Sequence, residues 1–386
     1  MAKWKTVRLG EIVKTNQSTY SPKENWQFVN YLDTGNITMN KIDEIQNINT
    51  AKDKLPSRAR RKVKTNSIIY STVRPNQLHY GIIKKQPDNF LVSTGFTVID
   101  VNYDKAVPDF IYYALTNQEV TEQLQAIAEQ SVSAYPSLKP SDIENLELML
   151  PDKKTQERIV AILRSIDEKI KGNNAINNNL EQQAQAIFKS WFIDFEPFGN
   201  RKPSEWSVST LGNVSIMGAG GDKPQNVSPI KTDLYEYPIY SNGLSNEGLY
   251  GFTDKPKISE ESVTVSARGT IGFVCLRHIP YVPIVRLVTL IPKTEIVSAK
   301  YLYLWLKQLH ITGTGTTQQQ LTVPDFQKTE ILVPSQKIMT LFTATVEPIF
   351  EKIWANQNEN EKLSSLRDTL LPKLMSSELD VSDIEI

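Results

Sequence analysis

The chain has 386 residues, of which 40% are apolar and 22% are charged. This composition is ordinary for a folded globular protein, too apolar for a disordered one, and the length predicts two or more domains. Lysine plus arginine and aspartate plus glutamate number 43 each, so the chain lacks the global basic excess typical of nucleic-acid-binding proteins.

Membrane, disulfide and zinc chemistry are all disfavoured. The N-terminal segment lacks the apolar core of a signal peptide, and no stretch approaches roughly eighteen uninterrupted apolar residues. We therefore expect a cytoplasmic protein with no membrane partner. The single cysteine, Cys275, excludes an intramolecular disulfide. His79, His278 and His310 show no ligand spacing, so no metal site is expected.

The charge is unevenly distributed along the first half. Residues 52–64, KDKLPSRARRKVK, contain seven basic residues against the single Asp53. Such a run offers a local phosphate-binding surface, and a solvated charged loop without a ligand is an equally good interpretation. The phosphate-binding candidates are Arg58, Arg60, Arg61 and Lys62.

Two motifs occur twice in the chain. The opening motif WKTVRLG (residues 4–10) recurs as WSVSTLG (206–212), and the exit motif LKPSDIENLELMLP (138–151) recurs as LTVPDFQKTEILVP (321–334). Between them lie diverged interiors with short β-type runs, Gly, Pro and Asn turns, and a helical stretch beginning near Pro108 or Ala299. We predict two similar α/β (α+β) globules, residues 1–150 and 201–335.

A long helix follows the first globule, within residues 151–200. Its apolar positions recur at steps of four and three through about Phe192, which is typical of a coiled-coil seam. The seam positions are Ile159, Leu163, Ile166, Ile170, Asn173, Asn177 and Leu180.

A second helix in residues 336–386 copies this seam 183 residues later (321 minus 138), as Ile349, Ile353, Asn356, Asn360 and Leu363. A surface helix lying on its own domain does not explain why both copies place two asparagines at the same seam positions, whereas buried asparagines commonly fix the register of a helix pair. Two similar halves related by an approximate two-fold axis predict antiparallel packing of two helices that separate the globules.

The second helix departs from the first at three positions. Pro348 should kink or restart it, and Pro372 should end it earlier than the first helix ends. Arg367 occupies the seam position that Ala184 holds in the first helix. The acidic tail SSELDVSDIEI is expected to fray or to contact a partner.

Together, the duplicated opening motif, diverged interior, exit motif and heptad helix resemble the specificity subunit of type I restriction-modification systems. The resemblance covers essentially the whole chain and depends on the order and duplication of the motifs. It implies that each globule is a target-recognition domain for one half of a bipartite, asymmetric site in double-stranded DNA. The helices would then set the spacing and dock two modification (methyltransferase) subunits.

The same resemblance implies no catalytic residue in this chain. N6-adenine methylation with S-adenosylmethionine would belong to the modification subunits, and ATP- and Mg-dependent translocation and cleavage to restriction subunits. In agreement, the chain has no Pro-Pro pair for an amino-methyltransferase loop and no phosphate-binding Gly-x-x-x-x-Gly-Lys-Ser/Thr motif. The glycines of GAGGDK and GTGTTQ are interpreted as turns, and Asp325 with Glu330 lacks the lysine of a nuclease site.

Polar side chains that follow predicted strands are candidates for base contacts, because Arg reads guanine and Asn or Gln reads adenine in the major groove. In the first globule they are Arg74, Asn76, Gln77 and His79, with Arg74 the leading choice. In the second they are Asn242, Arg268, Thr316, Thr317, Gln318 and Gln319, with Arg268 in the place of Arg74. Alternatively, Arg74 and Arg268 tie a strand end to a neighbouring carboxylate.

Two other functions remain as alternatives. An autonomous restriction-methylation enzyme would need a catalytic domain for which no residues are left over. A non-catalytic two-headed adaptor on a coiled-coil stalk, binding a ligand other than nucleic acid, has the same fold, since function depends on the site that a fold carries.

Overall fold

The computed structural model describes residues 4–131, 135–313, 320–382 and 384. Its contacts divide the chain into two compact units. Unit 1 comprises Met1–Lys171 and Glu359–Ile386, and unit 2 comprises Gly172–Asn358. Each unit therefore contains one globule together with parts of both long helices.

Unit 1 contains a globule of short strands and short helices. Its helices are α1 (Pro108–Leu115), α2 (Gln118–Glu129) and α3 (Pro140–Glu144), and the long helix α4 (Lys153–Phe192) begins in this unit. Its strands are β1 (Lys5–Arg8), β2 (Val13–Thr15), β3 (Phe28–Leu32), β4 (Ile37–Thr38), β5 (Lys41–Ile42), β6 (Gln46–Asn49), β7 (Ala59–Lys62), β8 (Ile68–Ser71), β9 (Tyr80–Ile82), β10 (Phe90–Ser93), β11 (Phe96–Val101) and β12 (Glu147–Leu150).

Two four-stranded sheets form the body of this globule, in the orders β6-β3-β10-β7 and β2-β11-β8-β9. The apolar run of β8 is buried on both faces because alternate side chains enter different clusters. Ile68 and Tyr70 pack into the cluster that contains α1, whereas Ile69 packs into the cluster shared with β10. Burying each of these side chains contributes roughly 1.5–3 kcal/mol, which explains why a continuous apolar run forms a central strand here.

Unit 2 contains the second globule. Its helices are α5 (Leu211–Val214), α6 (Ala299–Gln308) and α7 (Val323–Phe326), and the long helix α8 (Gln336–Met375) begins in this unit. Its strands are β13 (Ser207–Thr210), β14 (Ser215–Ala219), β15 (Tyr237–Tyr240), β16 (Leu249–Thr253), β17 (Ser262–Val265), β18 (Val274–Arg277), β19 (Val282–Pro283), β20 (Val288–Pro292) and β21 (Glu330–Val333).

The two globules share one topology. The sheet β14-β20-β17-β18 repeats the order β2-β11-β8-β9, and β16-β15-β19 repeats β6-β3-β10. The parallel pair β3·β10 is matched by the parallel pair β15·β19. Within the described residues, β7 is the strand of the sheet β6-β3-β10-β7 that the second globule does not repeat. The predicted duplicated α/β fold is confirmed.

The opening and exit motifs recur because they pair with each other. β1 pairs antiparallel with β12, and β13 pairs with β21 in the same way. The Leu-Gly of each opening motif then packs on the exit motif: a side-chain carbon on Gly10 would lie 3.2 Å from the Glu144 carbonyl oxygen, and one on Gly212 would lie 3.1 Å from Gln327 Cβ. Each globule is thus closed by strands whose pairing does not depend on its interior.

The two long helices have equal lengths of 40 residues. α8 continues through Pro348 and ends at Met375, so the prediction that Pro372 ends it earlier is wrong. A proline inside a helix costs about 3 kcal/mol through its missing amide and a steric clash. Burial of Phe350 near the first proline, and of Leu371 and Leu374 beside the second, offsets that cost.

The helices pack antiparallel within each unit. In unit 2, Asn356 Nδ2 donates to Asn177 Oδ1 at 2.8 Å, while the Phe188 and Phe342 rings lie 5.9 Å apart. Residue numbers therefore rise along α4 as they fall along α8. In unit 1, Arg367 pairs with Asp167 at 3.1 Å, in the same sense. The predicted antiparallel arrangement is confirmed.

All predicted seam positions are buried or half-buried in their own unit. The buried ones are Ile159, Leu163, Ile166, Asn173 and Asn356, and the half-buried ones are Ile170, Asn177, Leu180, Ile349, Ile353, Asn360 and Leu363. Asn177 also donates from Nδ2 to the Ile353 carbonyl oxygen at 3.2 Å. Asn177 and Asn356 therefore satisfy each other and the backbone of the facing helix.

The C-terminal tail does not fray directly after α8. Val381 is 2% exposed and belongs to the unit 1 core, together with Leu374 and Met375. Apolar burial thus extends the ordered chain beyond the last helical residue. Among the described residues, no helix combines the length and the apolarity that a membrane span requires.

Candidate nucleic-acid interface

The turn between β10 and β11 brings together two polar segments of the first globule. The Thr94 amide donates to the Arg58 carbonyl oxygen at 2.8 Å, and the Thr72 amide donates to the Gly95 carbonyl oxygen at 2.8 Å. The residues that precede β7 and those that follow β8 consequently lie on either side of one turn. The phosphate candidates and the base-reading candidates of this globule share an edge.

The basic cluster on and before β7 has unequal members. Arg58 is exposed, and Arg60 is half-buried. Lys62 forms an ion pair with Glu24, and its ammonium lies 5.1 Å from the centre of the Trp26 ring. Lys62 is therefore partly committed to its own globule, although an ion pair this exposed to solvent contributes little to stability.

Arg61 is the anomalous member of the cluster. Its Nε is buried, and no acceptor for it lies among the described residues. Burial lowers the pKa of Arg61. A buried guanidinium N–H without a partner is costly, so the fold holds Arg61 in this position at an energetic cost.

The loop after β8 presents three exposed polar side chains. Arg74 has a left-handed backbone (φ +48°), and its guanidinium carbon lies 5.2 Å from the centre of the exposed Tyr135 ring. Asn76 and Gln77 follow on a short 3-10 turn and are exposed. The described neighbour of the Arg74 guanidinium is an aromatic ring and not the carboxylate of the alternative interpretation.

His79 has a different environment from the rest of this loop. Its Nδ1 lies 2.6 Å from the Ile37 carbonyl oxygen and 3.3 Å from Thr38 Oγ1. Because a carbonyl oxygen only accepts, the ring donates to it from Nδ1. The imidazole thus ties the loop to β4, while Nε2 is the nitrogen left for any other contact.

The second globule uses Asn242 as a brace. Asn242 Oδ1 accepts from the Ala267 amide at 2.7 Å, and Nδ2 donates to the Val285 carbonyl oxygen at 2.7 Å. Both ends of the amide are engaged with backbone. Asn242 therefore joins the segment after β17 to the turn before β20.

Arg268 is exposed at the end of β17, and its guanidinium donates to Gln320 Oε1 at 3.0 and 3.3 Å. Its described partner is again not a carboxylate. The remaining candidates of this globule, Thr316, Thr317, Gln318 and Gln319, lie outside the described residues.

Arg268 lines a cleft of about 460 Å³ with two cations that the sequence analysis missed. They are Lys223 and Arg286, and the cleft also contains Asp222, Gly220 and Gly221. Three cations against one carboxylate favour an anionic ligand. The sequence carried a weak signal for both residues: Lys223 ends GAGGDK, and Arg286 is a lone charge between the apolar segments PIV and LVTLIP.

A buried arginine holds the neighbouring loop of residues 241–248. Arg277 is 3% exposed, and its guanidinium carbon lies 3.6 Å from the centre of the Tyr240 ring. It donates to Glu247 Oε2 at 2.9 Å and to the Glu247 carbonyl oxygen at 2.7 Å. Glu247 is thereby held in a left-handed conformation (φ +53°), which gives the loop one preformed shape.

The part of the chain that the structure describes contains no group of side chains suited to bind a metal ion. No three His, Cys, Asp or Glu side chains are grouped there so that they could hold a metal ion. Burial raises the pKa of Cys275 to about 12, so its thiol stays protonated and unreactive at neutral pH.

Comparison with known proteins gives one consistent family. A model described as "Type I restriction modification DNA specificity domain" matches residues 1–182 and 203–364. The chain is 29% identical to the type I restriction enzyme HindI specificity subunit of Haemophilus influenzae, over 98% of this chain and 100% of the relative. It is 27% identical to the MjaIX specificity subunit of Methanocaldococcus jannaschii, over 79% of this chain and 76% of the relative.

A solved structure supports the fold. The S subunit of a type I restriction-modification system from M. genitalium is 17% identical to this chain, covers 99% of it with 97% of its own length, and superposes with a TM-score of 0.57. At this identity the likeness concerns the architecture alone.

Proposed function

The chain belongs to the family of type I restriction-modification DNA specificity subunits, and we propose that one edge of each of its globules forms the DNA-reading surface. As a member of this family it is a non-catalytic subunit for sequence-specific DNA recognition. Each globule reads one half of a bipartite site. The observation that carries the proposal is the convergence of Lys223, Arg268 and Arg286 on one cleft.

In the first globule the proposed contacts lie beside the β10–β11 turn. Arg58, Arg60 and Arg61 contact phosphate, while Arg74, Asn76 and Gln77 read base edges. Their placement on two segments joined at one turn supports this division. Lys62 and His79, each engaged inside the globule, support the surface more than they read it.

The partners follow from the family and from the balance of charge. A chain of zero net charge neutralises few phosphates by itself, so the complex must supply much of the non-specific attraction. We propose that two modification subunits dock on the long helices and hold S-adenosylmethionine, and that restriction subunits supply ATP- and Mg-dependent activity. The complex would act on DNA in the cytoplasm.

The test is to co-express the chain with the modification subunit of its system and to map N6-methyladenine in the host genome by single-molecule sequencing. A two-part motif with a fixed spacer is expected. Arg74→Ala should alter only one half of the motif and Arg268→Ala only the other. A stable complex that adds no methylation would contradict the proposal.

Matched controls lie at the opposite ends of the same sheets. Lys14 is exposed on β2, opposite Asp100 near the far end of β11, and Lys293 follows β20 at its far end. Lys14→Ala and Lys293→Gln remove a cation without touching either proposed edge. Both should leave the motif unchanged.

A further inference from the structure

The turn between β19 and β20 has an uncommon backbone. Val285 (φ +52°) and Arg286 (φ +64°) are consecutive left-handed residues without a glycine. A β-branched side chain in this region is a true outlier, because its Cβ substituents crowd the backbone. Such strain persists only where the surroundings enforce it, and it concentrates at functional sites.

Two segments of the second globule enforce this turn. The Val285 amide donates to the Gly221 carbonyl oxygen at 2.9 Å, and the Arg286 amide donates to that of Gly220 at 3.0 Å. Asn242 Nδ2 holds the Val285 carbonyl oxygen from the other side at 2.7 Å. A side-chain carbon on Gly220 would lie 2.7 Å from the Ile284 carbonyl oxygen, so this approach requires glycine.

The clamp acts on the backbone and leaves both side chains outward. Val285 is 50% exposed, and Arg286 is exposed and lines clefts of about 460 and 330 Å³. Among the described residues, no carboxylate forms an ion pair with Arg286. An apolar side chain and an uncommitted guanidinium are thus held side by side on a rigid support.

We infer that the Val285–Arg286 turn is the specificity-determining element of the second globule, with Arg286 reading a guanine and Val285 contacting the adjacent base. This deepens the proposed function and rests on it. Arg pairs with O6 and N7 of guanine in a bidentate manner, and apolar side chains contact the thymine methyl group. Lys223 then holds a phosphate beside this turn, and Arg268 is a second base-contacting candidate in the same cleft.

The rigidity of the turn is what makes it a better reader than Arg268. Arg268 must leave Gln320 before it can bond to a base, whereas Arg286 has no described acceptor to lose. A backbone that is already fixed also loses little conformational entropy on binding. Strain in the free protein is therefore compatible with a gain in discrimination on DNA.

The decisive experiment is methylation mapping of the co-expressed complex with Arg286→Ala and Arg286→Lys. We expect both to relax one G·C position in one half of the motif, with a loss of discrimination of about 10- to 100-fold, because a lysine cannot form the bidentate pair. Lys223→Ala is the matched control and should weaken methylation equally at all sites. An unchanged motif, or a uniform loss like that of Lys223→Ala, would overturn the inference.

A second variant tests the strained backbone. Asparagine tolerates the left-handed region, so Val285→Asn should raise the Tm of the chain by a few degrees. Val285→Asn should also reduce the base preference at the motif position next to the one read by Arg286. A Tm that stays equal or falls, or a motif that keeps that position, counts against the inference. If the complex with the unaltered chain methylates no two-part motif, that result contradicts the proposed function itself and not only the role of this turn.

Discussion

The first globule carries its cations on β7, the last strand of a sheet, whereas the second carries them around the turn between β19 and β20. β7 carries Arg60 and Arg61, and the second globule has no described counterpart of that strand. There, Arg286 occupies the turn whose equivalent in the first globule contains Gly95. One scaffold thus supports two different reading surfaces, because the pairing of the opening and exit motifs closes each globule independently of its interior.

A second comparison concerns the helix of each globule that forms an ion pair with a long helix, α1 in unit 1 and α6 in unit 2. Asp109, the second residue of α1, pairs with Lys84 at 2.7 Å and with Arg164 of α4 at 2.9 Å. Lys300, the second residue of α6, pairs with Glu261 at 2.7 Å and with Glu347 of α8 at 3.0 Å. The ion-pair cluster lies at the same position in both globules, but its charges are reversed. The repeat therefore requires complementary charges at this position and not a particular residue type.

The largest expected effect is from breaking the second of these clusters. Lys300 is 4% exposed, so Lys300→Met should lower the free energy of unfolding by about 3 kcal/mol, the lower end for a broken buried pair, because both carboxylates are about a third exposed. Urea denaturation measures the loss. The triple variant Lys300→Asp, Glu261→Lys, Glu347→Arg copies the charges of the first globule and should recover most of the lost free energy of unfolding. No recovery would show that the cluster with reversed charges is not equivalent to the original.

A smaller effect is expected where the seam differs between the halves. Arg367 and Asp167 form an ion pair, and the Tyr113 hydroxyl donates to Asp167 Oδ2 at 2.7 Å. The equivalent residues of unit 2 are the buried Ala184 and Phe350. Arg367→Ala alone should cost about 1–3 kcal/mol, since it leaves the half-buried Asp167 carboxylate without its ion-pair partner. Asp167→Phe with Arg367→Ala transfers the apolar pair and should be near neutral in thermal unfolding, and a further loss would argue against equivalent packing.

The smallest effect concerns pH and only the second globule. Burial, with the nearby Lys300 and Arg277, lowers the pKa of His278 to about 4, and its ring stacks on Trp354 at 4.2 Å. In the unfolded chain the pKa of His278 is near the ordinary value of 6.5, whereas in the folded chain the ring stays neutral until the pH approaches 4. The contribution of His278 to the free energy of unfolding is therefore complete above pH 6.5 and is lost as the pH falls toward 4. His278→Phe keeps an aromatic ring and should reduce the slope of Tm against pH in that window; an unchanged slope would exclude His278 as its source.

The sequence alone determined the architecture, because its signals are local or repeated. Heptad spacing from Ile159 to Leu180 identifies a seam by periodicity, and two copies of the opening and exit motifs identify a duplicated globule. The asparagines at 177 and 356 could be placed in register because both copies carry them. These features depend on neighbours in sequence or on a comparison of the chain with itself.

Only the tertiary structure decided what the individual polar residues do. Nothing near Asn242 in the sequence shows that it braces Val285, and nothing near Lys62 shows that it meets Glu24, because these pairs form between segments far apart in the chain. Pro372 lies inside α8 because core packing outweighs a local helix-breaking preference. Arg286 was missed because its backbone conformation is imposed by Gly220, Gly221 and Asn242, and long-range contacts of this kind leave no periodic trace in the sequence.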